Sequence, residues 1–296
     1  MQTNNLDIFM KIKKIKINGL KHQFYFWGSP HKPKLFFFHG WLDCAASFEF
    51  VCEYLEKDFY CIGTDLRGYG KSEWSKSPLG YFFYEYIADL HKIFEHFSPH
   101  QAVDIVGHSF GGAISSFYAG IFPERVKRFV NLEGFAFKDN PPDRGPEKAK
   151  TWIEGLAHQR FNSFKDFKHF AERMTQANPR IPLEKAQFVS KYLAKKTRKG
   201  VIASADPLHK LAEPYVFTKD LFYPFWENIQ AHCLLVGAEL TEMNAWMKSA
   251  DLKKEIQERL DHFPPSSQKV EIKNCGHMMH YEKPEEVAPF IHHFLL

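Results

Sequence analysis

The sequence predicts an α/β protein, a mostly parallel sheet covered by helices on both faces, with a helical cap inserted late in the chain. Two observations carry this. Short apolar runs alternate with segments of helical spacing through most of the 296 residues, the pattern that parallel strands joined by crossover helices require. The rhythm then stops between about residues 137 and 226, where amphipathic helical stretches follow one another and no strand of the series is obvious.

The elements follow in order. An opening pair of strands covers residues around 11–17 and 22–27, joined by a turn at Asn18 and Gly19. Lysines at 11, 13, 14 and 16 alternate with isoleucines in the first, which suits a strand with one polar face. Lys34 to Phe38 is a buried apolar strand ending at His39-Gly40, and Tyr60 to Thr64 is another, ending at Asp65. The spacing of Tyr81, Phe82, Tyr86, Ile87, Leu90, Ile93, Phe94 and Phe97 predicts a helix over about 81–97. The strand from Val103 runs into Gly107-His108-Ser109-Phe110-Gly111-Gly112 and a helix that Ile121, Phe122 and Pro123 close. Val126 to Leu132, His232 to Val236 and Val270 to Ile272 complete the strands. A last helix starts at Pro284, with Val287, Phe290, Ile291 and Phe294 on one side.

The irregular block opens on a breaker cluster at 140–146. Helical stretches follow at Ala149–Leu156, Phe164–Met174 and Leu183–Leu193, then an aromatic-rich stretch from Tyr215 to Trp226. Residues 1–136 and 227–296 are therefore expected to form the sheet domain and 137–226 the cap.

Composition narrows the function classes. With 44% hydrophobic residues the chain can bury one sizeable core. A net charge of +4 does not call for nucleic acid, and no apolar run is long enough to span a membrane. The opening residues lack the apolar core of a signal peptide. Cys44, Cys52, Cys61, Cys233 and Cys275 are odd in number and form no C-x-x-C, which argues against a disulfide scaffold or a zinc site. The expectation is a cytoplasmic protein acting on a small molecule, without metal or organic cofactor. Oligomeric state is not legible. The basic stretch from Lys185 to Lys199 reads as a solvated helix face and the loop after it.

The chemistry centres on Gly107-His108-Ser109-Phe110-Gly111. G-x-S-x-G is a loose pattern alone, but a strand before it and a helix after it are the setting of a nucleophile elbow. Side chains at Gly107 and Gly111 would collide across so sharp a turn. The helix start aims its free N–H groups at an oxyanion forming on Ser109. A serine hydroxyl is a weak nucleophile and needs an adjacent base.

Four motifs fall in one order along the chain: His39-Gly40-Trp41, the run from Asp65 to Ser72, the elbow, and Asn274-Cys275-Gly276-His277. In that order the chain resembles the α/β-hydrolase superfamily. His39 to Asp43, the elbow and Asn131 to Phe135 look like its serine-hydrolase-like group. The resemblance implies an α/β-hydrolase fold with an eight-stranded sheet. It makes Ser109 the nucleophile, His277 the base, and the N–H groups of Trp41 and Phe110 the oxyanion hole.

For the acid the resemblance offers two places. The loop after His232–Val236 puts Leu240, which cannot serve, at the usual position, flanked by Glu239 and Glu242. The end of Val126–Leu132 puts Glu133 in the register that haloalkane-dehalogenase-like relatives use. A carboxylate there needs a partner, and His277 supplies one. Glu133 is preferred, with Glu239 and Glu242 as alternatives. Asp65 is read as organising its own turn, with Arg67 as an ionic neighbour. Met278 and Met279 either line an apolar pocket or fill core. Trp41 either lines the acyl site or packs under the cap.

The implied reaction is cleavage of a carboxylic ester or thioester with a hydrophobic acyl group, through an acyl-enzyme. Serine at 109 argues against the dehalogenases and epoxide hydrolases of this fold, which use an aspartate nucleophile. Acyl transfer, C–C bond hydrolysis and non-catalytic binding of a small ligand remain the alternatives.

Overall fold

The computed structural model describes residues 10–135 and 137–296. The reading of the opening residues as leaderless falls outside that range up to Met10. The strands are β1 (Lys11–Ile17), β2 (Leu20–Trp27), β3 (Lys34–Phe38), β4 (Tyr60–Thr64), β5 (Val103–His108), β6 (Val126–Leu132), β7 (Ala194–Thr197), β8 (Gly200–Ala203), β9 (His232–Ala238) and β10 (Gln268–Ile272). Eight of them form one sheet in the order β1-β2-β4-β3-β5-β6-β9-β10, while β7 and β8 make a separate hairpin. β2 is antiparallel to β1 and β4; all pairs from β4 to β10 are parallel.

The helices are α1 (Glu49–Leu55), α2 (Phe83–Phe97), α3 (Phe110–Ile121), α4 (Gly145–Gly155), α5 (Phe167–Ala177), α6 (Leu183–Leu193), α7 (Lys219–Glu227), α8 (Asn244–Met247), α9 (Leu252–Leu260), α10 (Met279–Glu282) and α11 (Pro284–Leu295). Among the described residues, none is long and apolar enough to cross a membrane.

The continuous apolar runs of the central strands have a direct cause. Side chains alternate across the sheet, and both faces are covered. Phe36 and Phe38 enter one core with Leu90 and Phe94 of α2, Phe117 of α3 and Trp226 of α7. Leu35 and Phe37 enter the other, with Val51 of α1, Ile291 of α11, Ala171 of α5 and Val189 of α6. Full burial of one such phenylalanine is worth about 1.5–3 kcal/mol. All five cysteines are buried and unpaired by disulfide.

Several local expectations change. The first long helix starts at Phe83 because Glu85 reaches back to accept the Phe82 N–H at 2.9 Å. β1 does not have one polar face. Its four lysines and Ile12 are all exposed, on both faces of the strand, and among the described residues β2 is its one strand partner. The loop expected after the basic helix is instead β7, where Lys195 Nζ sits 3.7 Å from the centre of the Trp74 ring. Lys185 is not simply solvated either; it donates to the Tyr281 carbonyl at 2.9 Å. The aromatic-rich stretch before β9 forms α7 and packs on α3. Phe225 stacks on Phe117 at 4.4 Å, and the Trp226 indole donates to Ser116 at 3.0 Å.

Candidate active site

β5 ends at His108 and α3 begins at Phe110, which leaves Ser109 alone in the turn at φ 51°, ψ −116°. The Ser109 N–H donates to the Leu132 carbonyl at 2.8 Å. A Cβ on Gly107 would stand 2.6 Å from Gly112 Cα, and one on Gly111 would overlap the Phe38 carbonyl oxygen. Both glycines are there for want of space. Positive φ recurs at Leu42, Glu133 and Asn274, shortly past the ends of β3, β6 and β10. Each such residue costs about 1–3 kcal/mol, and strain of this kind gathers at working sites.

Glu133 is the first residue past β6 and is buried. His277 Nδ1–H donates to Glu133 Oε2 at 2.7 Å. The carboxylate also accepts the Ala238 N–H at 2.8 Å and the Thr241 hydroxyl at 2.9 Å. Three donors make a buried negative charge tolerable. With Nδ1 committed to the acid, Nε2 is the nitrogen left to exchange a proton. The His277 ring lies 4.8 Å from that of His108, the residue before Ser109. His108 Nε2–H donates to the His277 carbonyl at 2.8 Å. Burial, reinforced by His280 and His277, holds the His108 pKa well below the ordinary value, so this ring is a neutral donor.

The two alternative acids go elsewhere. Glu239 accepts the Asn274 N–H at 2.9 Å and pairs with Lys273 at 3.2 Å. Glu242 accepts the main-chain N–H of His277 at 2.9 Å and pairs with Arg180. Among the described residues, the carboxylate on the His277 ring is that of Glu133.

The loop after β3 crosses close to the elbow. A Cβ on Gly40 would stand 2.9 Å from His108 Nδ1 and 3.2 Å from Ser109 Cβ. Trp41 follows directly. Phe110, first in α3, has no acceptor for its N–H within the helix. The Trp41 indole is 55% exposed, and its N–H donates at 2.9 Å to the carbonyl of His209, a residue of the segment expected to form the cap.

Asp65 organises its turn as the sequence suggests, accepting from Ala45 N–H at 2.8 Å, Lys71 N–H at 2.7 Å and Tyr25 at 3.1 Å. Burial pushes its pKa up to about 7. Arg67 is not its partner. It turns to α2, meeting Asp89 at 2.6 Å and Glu85 at 2.5 Å, because two carboxylates compete there against one already filled. Met279 is fully buried among core residues of the second face and Met278 packs against the same cluster, so both are core.

Sequence reasoning missed a cluster behind the elbow. Asp43 accepts from Ser47 at 3.0 Å, Tyr281 at 2.7 Å and His280 Nε2 at 3.1 Å. Asp43, His108 and His280 bring possible metal-ligating atoms within 4.8 Å of one another. The carboxylate accepts from three donors, and the cluster ties the loop after β3 to the end of β5 and to α10. The available signal was His280, three residues after His277, on the same turn. A cavity of about 250 Å³ lies between the β3 loop and the segment after α4, lined by Leu42, Phe161, Phe164, Phe170, Leu193, Ala203 and Lys210 among others.

A serine in a strained strand–helix turn, with a carboxylate-bound histidine past the last strand of the same sheet, is the arrangement expected of an α/β hydrolase. Residues 33–284 match the model of the alpha/beta hydrolase fold, and the chain belongs to that family. It is 24% identical over 280 residues to serine hydrolase-like protein 2 of Homo sapiens, covering 91% of this chain and 88% of that protein. It is 32% identical to the serine hydrolase-like protein of Mus musculus over 111 residues, which span 38% of this chain and 35% of that relative. Among solved structures, the thioesterase domain from the curacin biosynthetic pathway superposes with a TM-score of 0.83 at 19% identity, over 95% of this chain and 98% of that one.

Proposed function

We propose that the protein is a serine hydrolase that cleaves a carboxylic ester or thioester with a hydrophobic acyl group, with residues 137–226 as its cap. The observation that carries the reading is the 2.7 Å bond from His277 Nδ1 to Glu133, beside the strained Ser109. In this reading His277 Nε2 takes the Ser109 proton as Oγ attacks the carbonyl carbon. The N–H groups of Phe110 and Trp41 hold the oxyanion. His277 then gives the proton to the departing alkoxide or thiolate. Water, deprotonated by the same nitrogen, cleaves the acyl-enzyme and restores Ser109. Glu133 stays ionised, fixes the imidazole tautomer and stabilises its charged form. No metal or organic cofactor enters this cycle, and the substrate is a small molecule.

In this reading the acyl group enters the cavity beside Leu42. Phe161, Phe164, Phe170 and Leu193 give it apolar walls, and its volume of about 250 Å³ suits a compact group, being just under the ~300–1,000 Å³ of drug-sized sites. The thioesterase and serine hydrolase-like descriptions of similar proteins agree with this chemistry.

The test is fluorophosphonate labelling with mass spectrometry on wild type, Ser109→Ala, Glu133→Gln and Glu239→Gln. Labelling at Ser109 that falls sharply in Glu133→Gln and not in Glu239→Gln supports an activated serine with its acid at Glu133. Loss in Glu239→Gln moves the acid to the later loop. A folded wild type that takes no label points to a ligand-binding protein instead.

A further inference from the structure

One guanidinium joins the expected cap to the turn that carries His277. Arg180 lies in the connection between α5 and α6. Its Nε donates to Glu282 at 2.8 Å, and its Nη2 pairs with Glu242. Each of these carboxylates holds one main-chain N–H of the histidine turn. Glu282 accepts from Gly276 at 2.6 Å, and Glu242 accepts from His277 at 2.9 Å. Asn178, in the same connection, also donates to Glu282 at 2.6 Å. The approach is so close that a Cβ on Gly276 would overlap the Arg180 guanidinium.

We propose that Arg180 is a positioning residue that couples the seating of the cap to the orientation of His277. This rests on the hydrolase reading above. His277 is held at three points: its ring by Glu133, its carbonyl by His108 and its N–H by Glu242. The third point depends on Arg180. Glu242 is half exposed, and an ion pair there is worth little alone. Glu282 is different, with a side chain only 2% exposed. Burial opposes its ionisation, yet the bonds from Asn178, Gly276 and Arg180 hold its pKa below the ordinary value. Without Arg180, two carboxylates are left without their shared cation, one of them in the interior. Arg180 thus ties the α5–α6 connection, whose helices are anchored in the core through Ala171 and Val189, to the histidine turn, so the aim of His277 depends on that connection staying seated.

Hydrogen exchange across residues 273–279 tests this in wild type, Arg180→Ala and Arg180→Lys, alongside fluorophosphonate labelling rates and hydrolysis of p-nitrophenyl acetate. In Arg180→Ala the Gly276 and His277 amides exchange about ten-fold faster. Labelling and kcat fall by about the same factor with KM unchanged, and lysine recovers part of the loss. Glu242→Gln adds little in the Arg180→Ala background, since the two act as one unit. Unchanged exchange in Arg180→Ala overturns the proposal whether or not Ser109 takes label. Faster exchange with wild-type labelling also overturns it, reducing Arg180 to an anchor. Faster exchange in a protein whose wild type never labels sinks the hydrolase reading instead and leaves the mechanical link standing.

Discussion

Glu133 and His277 are 144 residues apart in sequence and 2.7 Å apart in space. The sheet order accounts for this, because β6 lies beside β9 and β9 beside β10, so the ends of β6 and β10 open on one edge of the same crevice. Replacing Glu133 by glutamine leaves the shape and lets the imidazole adopt the wrong tautomer. We expect kcat to fall on the order of 10³–10⁴-fold with an unchanged circular dichroism spectrum. Glu239→Gln keeps wild-type kcat in the same assay.

Ser109 holds a conformation that glycine adopts freely, at φ 51°. Ser109→Gly abolishes labelling yet raises stability by about 1 kcal/mol. Chemical denaturation of the two proteins reads the difference, and a loss of stability would mean the elbow is unstrained.

Gly40 has no room for a methyl group, with His108 Nδ1 at 2.9 Å from the position a Cβ would take. Gly40→Ala pushes the Trp41 N–H off the elbow. Steady-state kinetics should show a drop in kcat of about 10²-fold or more, the size of a lost oxyanion donor, with KM little changed.

Ala203 lines the cavity beside Leu42. Leucine there shortens the space for the acyl group. An ester series of increasing chain length should shift its preference toward short acyl groups, with kcat/KM for longer ones falling about 10–200-fold.

His209 is stacked between Tyr69 at 3.7 Å and Tyr81 at 3.9 Å. Burial lowers its pKa to about 3. The unfolded chain therefore binds a proton between about pH 6.5 and 3 that the folded one does not, and folding loses stability as pH falls through that window. In His209→Gln this contribution is gone. The stability gap between wild type and variant narrows on acidification from pH 7 to 4, by up to about 1.4 kcal/mol per pH unit. Urea midpoints at several pH values measure it.

The sheet was legible because its signals are local. Leu183–Leu193 matches α6 residue for residue, and β3, β4 and β6 have the expected bounds. The strained turn at Ser109 was legible for the same reason, since such a turn needs its glycines within a few residues. What escaped the sequence was tertiary. Nothing local says that Arg67 prefers Asp89 to Asp65, a choice set by where α2 lies. Nor does any periodicity mark the β7–β8 hairpin, whose four-residue strands are too short to show alternation. Asp43 and His280 stand 237 residues apart and meet through the fold alone. Ile12 misled because an apolar residue in a strand was assumed to have something to cover it.

That last strand has a consequence for the molecule among its copies. Among the described residues β1 has no strand partner on one side of its backbone, and lysines 11, 13, 14 and 16 stand along it in water. Two such edges drawn together would face each other as rows of ammonium groups, and repulsion would set in before the first interstrand hydrogen bond closed. The lysines of β1 thus guard this edge of the sheet against pairing with a second copy.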